Sequence, residues 1–391
     1  MQDPIIRQSK AYLYDQLLPK WLNFGIESTN HLSYERLQLD WQPLHTGQRR
    51  LLSQCRQLYT FSHAYQQTSC QDFLEPLAPL FDSILEHYFV DDRWCFAVND
   101  KLVISDRRTD TYTLAFVILS FSHYYTVTHD ARAEQHVETV HRLLSEILRA
   151  DSGGFHESYP IETHEIRRQN PHMHLLEGYL AAYEVFKRAD YRAMIEELAD
   201  LALQKFYHHE SNTLREFFDY DWQLDTTKGH IVEPGHFFEW VWLLHETYDI
   251  TKQQPLIHLA DQLWESAKRI GLSSNGGIFN QVDGNTGRAL DRNKRIWPIT
   301  EYLKAITKAP ISELDKRFYL QDTLEFMHRY YFRSNGGWNE YLDEQNQAVK
   351  DANLPATTSY HIFLGLSEAF KHLETSKLEP NQSFNKIEQQ P

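Results

Sequence analysis

A turn signal that returns about every sixty residues constrains this 391-residue chain more than any other feature. Gly153-Gly154-Phe155, Gly276-Gly277-Ile278 and Gly336-Gly337-Trp338 are its clearest forms. Looser versions, a polar pair before a large apolar residue, occur at Asn30-His31-Leu32, Asp92-Arg93-Trp94 and Asn212-Thr213-Leu214. The apolar markers stand at 32, 94, 155, 214, 278 and 338, so units are 59 to 64 residues long. Periods of this size belong to chains built from one repeated supersecondary unit that cannot bury its apolar face alone.

Between markers the apolar spacing is helical, with room for two helices per unit. Arg49 to Tyr65 places Leu51, Leu52, Cys55, Leu58, Tyr59 and Ser62 at three-to-four spacing, and Phe73 to Phe89 repeats the pattern. The pair recurs as Tyr112 to Thr126 with Ala133 to Leu148, and as Pro171 to Lys187 with Ala193 to Phe206. Six helical hairpins with short extended loops on one face fit an all-α (α/α)6 barrel, with inner and outer rings of helices. An open solenoid would carry polar capping repeats and a shorter period. Residues 1–375 read as one such catalytic domain, and 376–391, polar and containing Pro380 and Pro391, as a disordered tail.

Lys and Arg number 39 against 54 Asp and Glu, a formal charge of −15 that argues against nucleic acid as a partner. No run approaches the ~18 apolar residues of a membrane span, and Arg7, Lys10 and Asp15 interrupt any apolar signal core near the start. No membrane partner and a cytoplasmic location are expected. Cys55, Cys70 and Cys95 form neither a disulfide framework nor a cysteine zinc site. The 21 His and 14% aromatic residues suit a cavity offering ring faces to sugar C–H groups, although a rich aromatic core gives the same count.

In a toroid, residues at the starts of the inner helices face one mouth. His174 and Trp297 lie 19 residues past their markers, His236 lies 22 past and His361 lies 23 past. Equivalent offsets imply that these residues converge, together with Arg56 from the first unit and Tyr112 from the second. Asn170 reads as a helix cap with Pro171 at the first helical position. His172, two residues before His174, cannot share its helical face and reads as structural. A helix N-terminus disfavours imidazolium, so a first-turn His is expected to be neutral and able to act as a base. His236 and Glu239 are three apart on one face, where the carboxylate would orient the imidazole or bind a hydroxyl. The expected catalytic residues are His236, His361 and His174; the expected substrate contacts are Arg56, Tyr112, Asn170, Glu239, Trp297 and Glu301.

Neutral imidazoles beside an Arg and a Trp platform suit proton abstraction next to a carbonyl. That describes a sugar isomerase, or an epimerase if the proton returns to the opposite face. Glycoside hydrolysis requires two carboxylates flanking the bond, for which Asp110, Glu157, Glu239 and Glu301 are the candidates. A sugar- or protein-binding protein has no use for converged bases. His174, His236, Glu239 and His361 would suit zinc, but no short metal motif accompanies them, and neither metal nor cofactor is expected. The expected partner is a monosaccharide, on a monomer or homodimer.

Four blocks carry a resemblance: Arg56-Gln-Leu-Tyr-Thr-Phe-Ser-His-Ala-Tyr65, Arg168-Gln-Asn-Pro-His-Met-His-Leu-Leu-Glu177, Glu233-Pro-Gly-His-Phe-Phe-Glu239 and Arg295-Ile-Trp-Pro-Ile-Thr-Glu301. Together they resemble the N-acylglucosamine 2-epimerase superfamily, and the likeness runs from about Arg49 to His361. It implies an (α/α)6 barrel and cofactor-independent proton transfer on sugars, with His236 and His361 as the acid/base pair and His174 in ring opening or substrate binding. The His174 block looks like the aldose–ketose isomerase and mannose isomerase branch, while cellobiose 2-epimerases share a comparable His. Leu52 departs from that branch, which often presents a Trp there.

Overall fold

In the computed structural model, which describes residues 3–162, 165–350 and 353–375, every marker falls in the same local structure. Phe89 pairs with Trp94, Arg149 with Phe155, Tyr207 with Leu214, Leu272 with Ile278 and Phe332 with Trp338. In the first unit Ile26 pairs with Ser33, one residue past the marker. Each marker therefore closes the tight reversal that follows an outer helix and sends the chain back toward an inner one. The tail expected at 376–391 lies outside the described residues.

The outer helices are α1 (residues 4–25), α3 (Leu77–Tyr88), α5 (Ala131–Glu146), α7 (Ala189–Leu201), α9 (Gln254–Gly271) and α11 (Glu313–Tyr330). The inner helices are α2 (Leu51–Thr68), α4 (Thr111–Thr128), α6 (Gln169–Phe186), α8 (Pro234–Thr251), α10 (Ile296–Lys308) and α12 (Ala356–Thr375). The run read as one helix from Phe73 to Phe89 breaks at Pro76, leaving a short turn of helix, Gln71–Leu74, before α3. Proline lacks the N–H that continuation would need. The run to Phe206 ends as a π-helical turn, Ala202–Phe206, and α1, around Pro19, also winds partly as π-turns.

Inner helices α2, α4, α6 and α8 each have 18 residues and stop in the same way. Ser69, His129, Lys187 and Lys252 adopt left-handed φ between 53° and 61°, and their N–H groups donate to the carbonyls of Tyr65, Tyr125, Tyr183 and Tyr248. This motif satisfies carbonyls that the helix end leaves open and turns the chain into the next outer helix within a few residues. Consecutive inner helices pack side by side, and α12 closes the ring against α2 while α1 lies against α11. The result is the (α/α)6 barrel.

Because the inner helices run parallel, all their N-termini surround one mouth of the bore. The residues that begin them alternate in charge: Arg50, Asp110, Arg168, Glu233 and Arg295 precede α2, α4, α6, α8 and α10. The three arginines are each held by a glutamate from a marker loop, Arg50 by Glu35, Arg168 by Glu157 and Arg295 by Glu340. The bore itself is divided. A cavity of about 180 Å³ lies at the N-terminal mouth and one of about 880 Å³ at the C-terminal end, with no lining residue in common. Between them Glu177, Glu239, Glu301 and Lys304 form a layer in which none is more than 4% exposed.

Candidate active site

The smaller cavity is lined by residues from all six inner helices, among them Arg56, Tyr112, Asn170, His174, His236, Glu239, Trp297 and His361. Eight of the nine expected site residues thus meet at one mouth. Glu301 does not line it: the residue is wholly buried beneath the cavity, where Oε1 engages His361 Nδ1 at 2.8 Å and Oε2 lies 2.8 Å from Lys304 Nζ. The expectation that Glu301 contacts substrate is corrected accordingly, since both of its oxygens are committed to protein groups.

Each of the three histidines is held through Nδ1 by a different glutamate. His174 Nδ1 donates to Glu177 Oε2 at 3.0 Å, His236 Nδ1 to Glu216 Oε1 at 2.9 Å and His361 Nδ1 to Glu301 Oε1 at 2.8 Å. This network assigns the Nδ1–H and leaves Nε2 toward the cavity. Glu239 does not orient His236 as the three-residue spacing suggested. Its carboxyl turns away, 3.8 Å from His174, and both of its oxygens are buried without a hydrogen-bond partner. Burial, with Glu301 and Glu177 adding like charge, raises the Glu239 carboxyl well above the usual carboxylate range.

Glu216 escaped the sequence reading. It stands two residues past the Leu214 marker, the place that Glu157 and Glu340 occupy after Phe155 and Trp338. In those units the glutamate grips a rim arginine; in this one Glu216 accepts from Gln169 Nε2 at 2.8 Å and from His236. The recurring offset was the available signal. Lys304 was missed as well, because a lysine three residues after Glu301 reads as an ordinary exposed helical pair. It is instead fully buried, with Nζ 4.4 Å from the centre of the Trp242 ring.

The electrostatics separate the two central imidazoles. Burial acts to lower both, but Glu216, with Glu233 and Glu239 nearby, overcomes it at His236 and raises that group to about 9. The expectation of a neutral first-turn histidine fails there because a buried carboxylate at hydrogen-bond distance outweighs a helix terminus. His361 moves the other way, held well below its usual range by burial with Arg56, His174 and Lys304 adding positive charge. His174 is likewise lowered to about 4, by burial against the opposing pull of Glu177. His174 and His361 sit at the sixth helical position rather than in the first turn, since α6 begins at Gln169 and α12 at Ala356. Asn170 is correspondingly not a cap; Arg168 holds that place, and Asn170 reaches into the cavity 3.3 Å from His236 Nε2.

Trp297 lies between the two central imidazoles, with ring centroids 4.9 Å from His236 and 5.8 Å from His361. Gly235 makes room for it: a Cβ at that position would stand 2.5 Å from Trp297 Cη2. Arg56 is fixed by Thr357 O at 2.8 Å and Tyr112 Oη at 2.9 Å, with its guanidinium stacked over Phe116 and Tyr360. His172 is structural, accepting the Phe155 N–H at 3.0 Å beside Trp222. Among the described residues His174, Glu177 and Glu239 bring one potential ligand atom each within 4.8 Å of one another. The charge of that cluster is already offset by the Lys304 ammonium, and His174 Nδ1 carries the proton given to Glu177.

Comparison with known proteins agrees with this architecture. Residues 33–365 match the family described as N-acylglucosamine 2-epimerase (GlcNAc 2-epimerase). A mannose-6-phosphate isomerase of Rhizobium meliloti is 30% identical over 92% of this chain and 95% of its own. Cellobiose 2-epimerase from Bacillus thermoamylovorans superposes with a TM-score of 0.85 at 19% identity, over 95% of this chain and 100% of that one. A D-mannose isomerase superposes at 0.82 with 22% identity, over 94% and 96%. With the profile match spanning most of the barrel and the Rhizobium relative nearly all of it, the chain belongs to the N-acylglucosamine 2-epimerase family.

Proposed function

We propose that this protein is an aldose–ketose isomerase acting on an unphosphorylated hexose, of the D-mannose to D-fructose type. The observation that carries this reading is the pair of imidazoles on either side of Trp297, His236 held by Glu216, which favours its imidazolium, and His361 held by Glu301 among cations that favour its neutral form. His174 is the base that starts ring opening: it takes the proton of the anomeric hydroxyl O1 and returns it to O5 as the C1–O5 bond breaks and C1=O1 forms, so that it too ends as it began. In the open aldose His361 Nε2 takes the C2 proton while His236 donates to O1, so that C1=C2 forms and C1=O1 becomes a hydroxyl. His361 then returns its proton to C1 and His236 recovers one from O2, giving C2=O2. Both imidazoles end as they began. A two-base epimerisation would leave His361 protonated and His236 neutral, against the environment of each.

The cavity size supports a monosaccharide. About 180 Å³ is well below the ~300–1,000 Å³ of sites for larger ligands. The rim is compatible with a neutral sugar, because Arg50, Arg168 and Arg295 already meet a glutamate each, while Arg56, held by the Thr357 carbonyl and the Tyr112 hydroxyl, is the cavity guanidinium left for substrate oxygens. The relative named mannose-6-phosphate isomerase and the D-mannose isomerase structure are consistent with mannose chemistry on this fold. A 2-epimerase is the second reading, favoured by the cellobiose 2-epimerase likeness.

Proton NMR of D-mannose with the purified protein in deuterated water tests the proposal. Fructose is the expected product, with part of the C1 label protonated by direct transfer. Glucose deuterated at C2 without fructose would replace it with the epimerase reading, and turnover of mannose 6-phosphate in preference to mannose would overturn the neutral-substrate claim. His236→Ala and His361→Ala are each expected to lower kcat by about 10² or more, as for loss of a general acid or base.

A further inference from the structure

Beneath the cavity three groups line up from solvent-facing chemistry to sealed interior. His361 Nδ1 meets Glu301 Oε1 at 2.8 Å, and Glu301 Oε2 meets Lys304 Nζ at 2.8 Å. Glu301 and Lys304 are both at 0% exposure, and the other close neighbour of Lys304 is the face of Trp242. An ammonium in such a place is costly unless its charge is used, and truncating a partner of a buried pair strands the other. The groups facing this line from neighbouring helices are Arg56 and Tyr59 of α2, His174 and Glu177 of α6, His236 and Glu239 of α8 and Tyr360 of α12. Of the cations in this set, Lys304 alone touches Glu301.

We infer that Lys304 is a positioning residue for proton transfer: by pairing with Glu301 it keeps that carboxyl an acceptor, which fixes the proton of His361 on Nδ1 and leaves Nε2 free to act as the base. The inference rests on the reading of His361 as the C2 base. Without the ammonium, burial favours the protonated form of Glu301, which would then donate to Nδ1 and move the ring proton to Nε2, where it blocks abstraction. Glu301 is already pushed upward by burial, with Lys304 opposing that push. His361 is pushed down in part by the same ammonium. Removing Lys304 therefore raises both groups, and the two effects shift activity in one direction.

The test is the pH profile of kcat for Lys304→Met, measured on whichever sugar the enzyme turns over, with a thermal melt to establish folding. The acid limb is expected to move up by about one to two pH units. A reduced plateau with an unmoved limb would mean a packing role only and would overturn the inference. Two-dimensional ¹⁵N–¹H NMR of histidine-labelled wild-type protein gives an independent reading that needs neither substrate nor variant. His361 is expected as the Nδ1–H tautomer through neutral pH, and an Nε2–H tautomer would refute the assignment. If no sugar is turned over, the isomerase reading falls, while the same NMR measurement on folded Lys304→Met still decides the role of Lys304: a shift of the His361 ring proton to Nε2 is expected, and an unchanged Nδ1–H tautomer would overturn the inference.

Discussion

Glu216 stands twenty residues before the imidazole it holds, on a different element, and it has a definite signature in pH dependence. His236 must be protonated to act as the acid, and its raised value means that this form is present below about pH 9 and lost above it. Activity of the wild type should therefore hold through neutral pH and fall on an alkaline limb near 9. In Glu216→Gln the carboxylate is gone while the burial remains, so the limb should move below 7 and kcat at pH 8 should drop about tenfold or more, checked by a pH–rate profile. The histidines were legible in the sequence because repeat offsets bring equivalent positions to one mouth. Their glutamates were harder to read: Glu301 and Glu216 come from other elements, and Glu239, three residues from His236 on the same helix, faces His174 instead. Sequence spacing along one helix proposes partners only on that helix, and two of the three actual pairs cross between elements.

At the scale of the helix, the distance between α10 and α12 decides whether His361 reaches Glu301. Gly365 sets it: a Cβ there would lie 2.6 Å from the backbone carbonyl of Thr300, one residue from Glu301. A main-chain oxygen has nowhere to go, so Gly365→Ala should separate the two helices, costing about 1–3 kcal/mol. Thermal unfolding measures the stability loss, and kcat should fall with it because the His361 pair is stretched. Helix existence and spacing could be read from apolar periodicity, but helix starts were misplaced by a few residues. Arg168 precedes α6 without a side-chain cap bond, since the β-pairing of Arg167-Arg168 with Phe217-Phe218 fixes the start instead. A cap rule applied to Asn170 has no knowledge of a strand from the next unit.

For the whole molecule the closure of the ring is the property that a repeat period alone can suggest. The first and last units meet through α1, which the periodicity reading passed over because Pro19 interrupts it. Tyr12 of that helix stacks on Phe332 at 3.9 Å and donates to Gly337 O at 3.0 Å, while Trp21 packs against Trp41 and Trp338. Removing residues 1–25 should expose this aromatic seam and abolish the single cooperative melt, as followed by circular dichroism. A second consequence comes from the buried layer of Glu177, Glu239, Glu301 and Lys304 that separates the two cavities of the bore. The barrel is a blind well, so reactant and product must share one doorway. Each product molecule obstructs the next arrival, and progress curves should bend from competitive product inhibition well before equilibrium limits them.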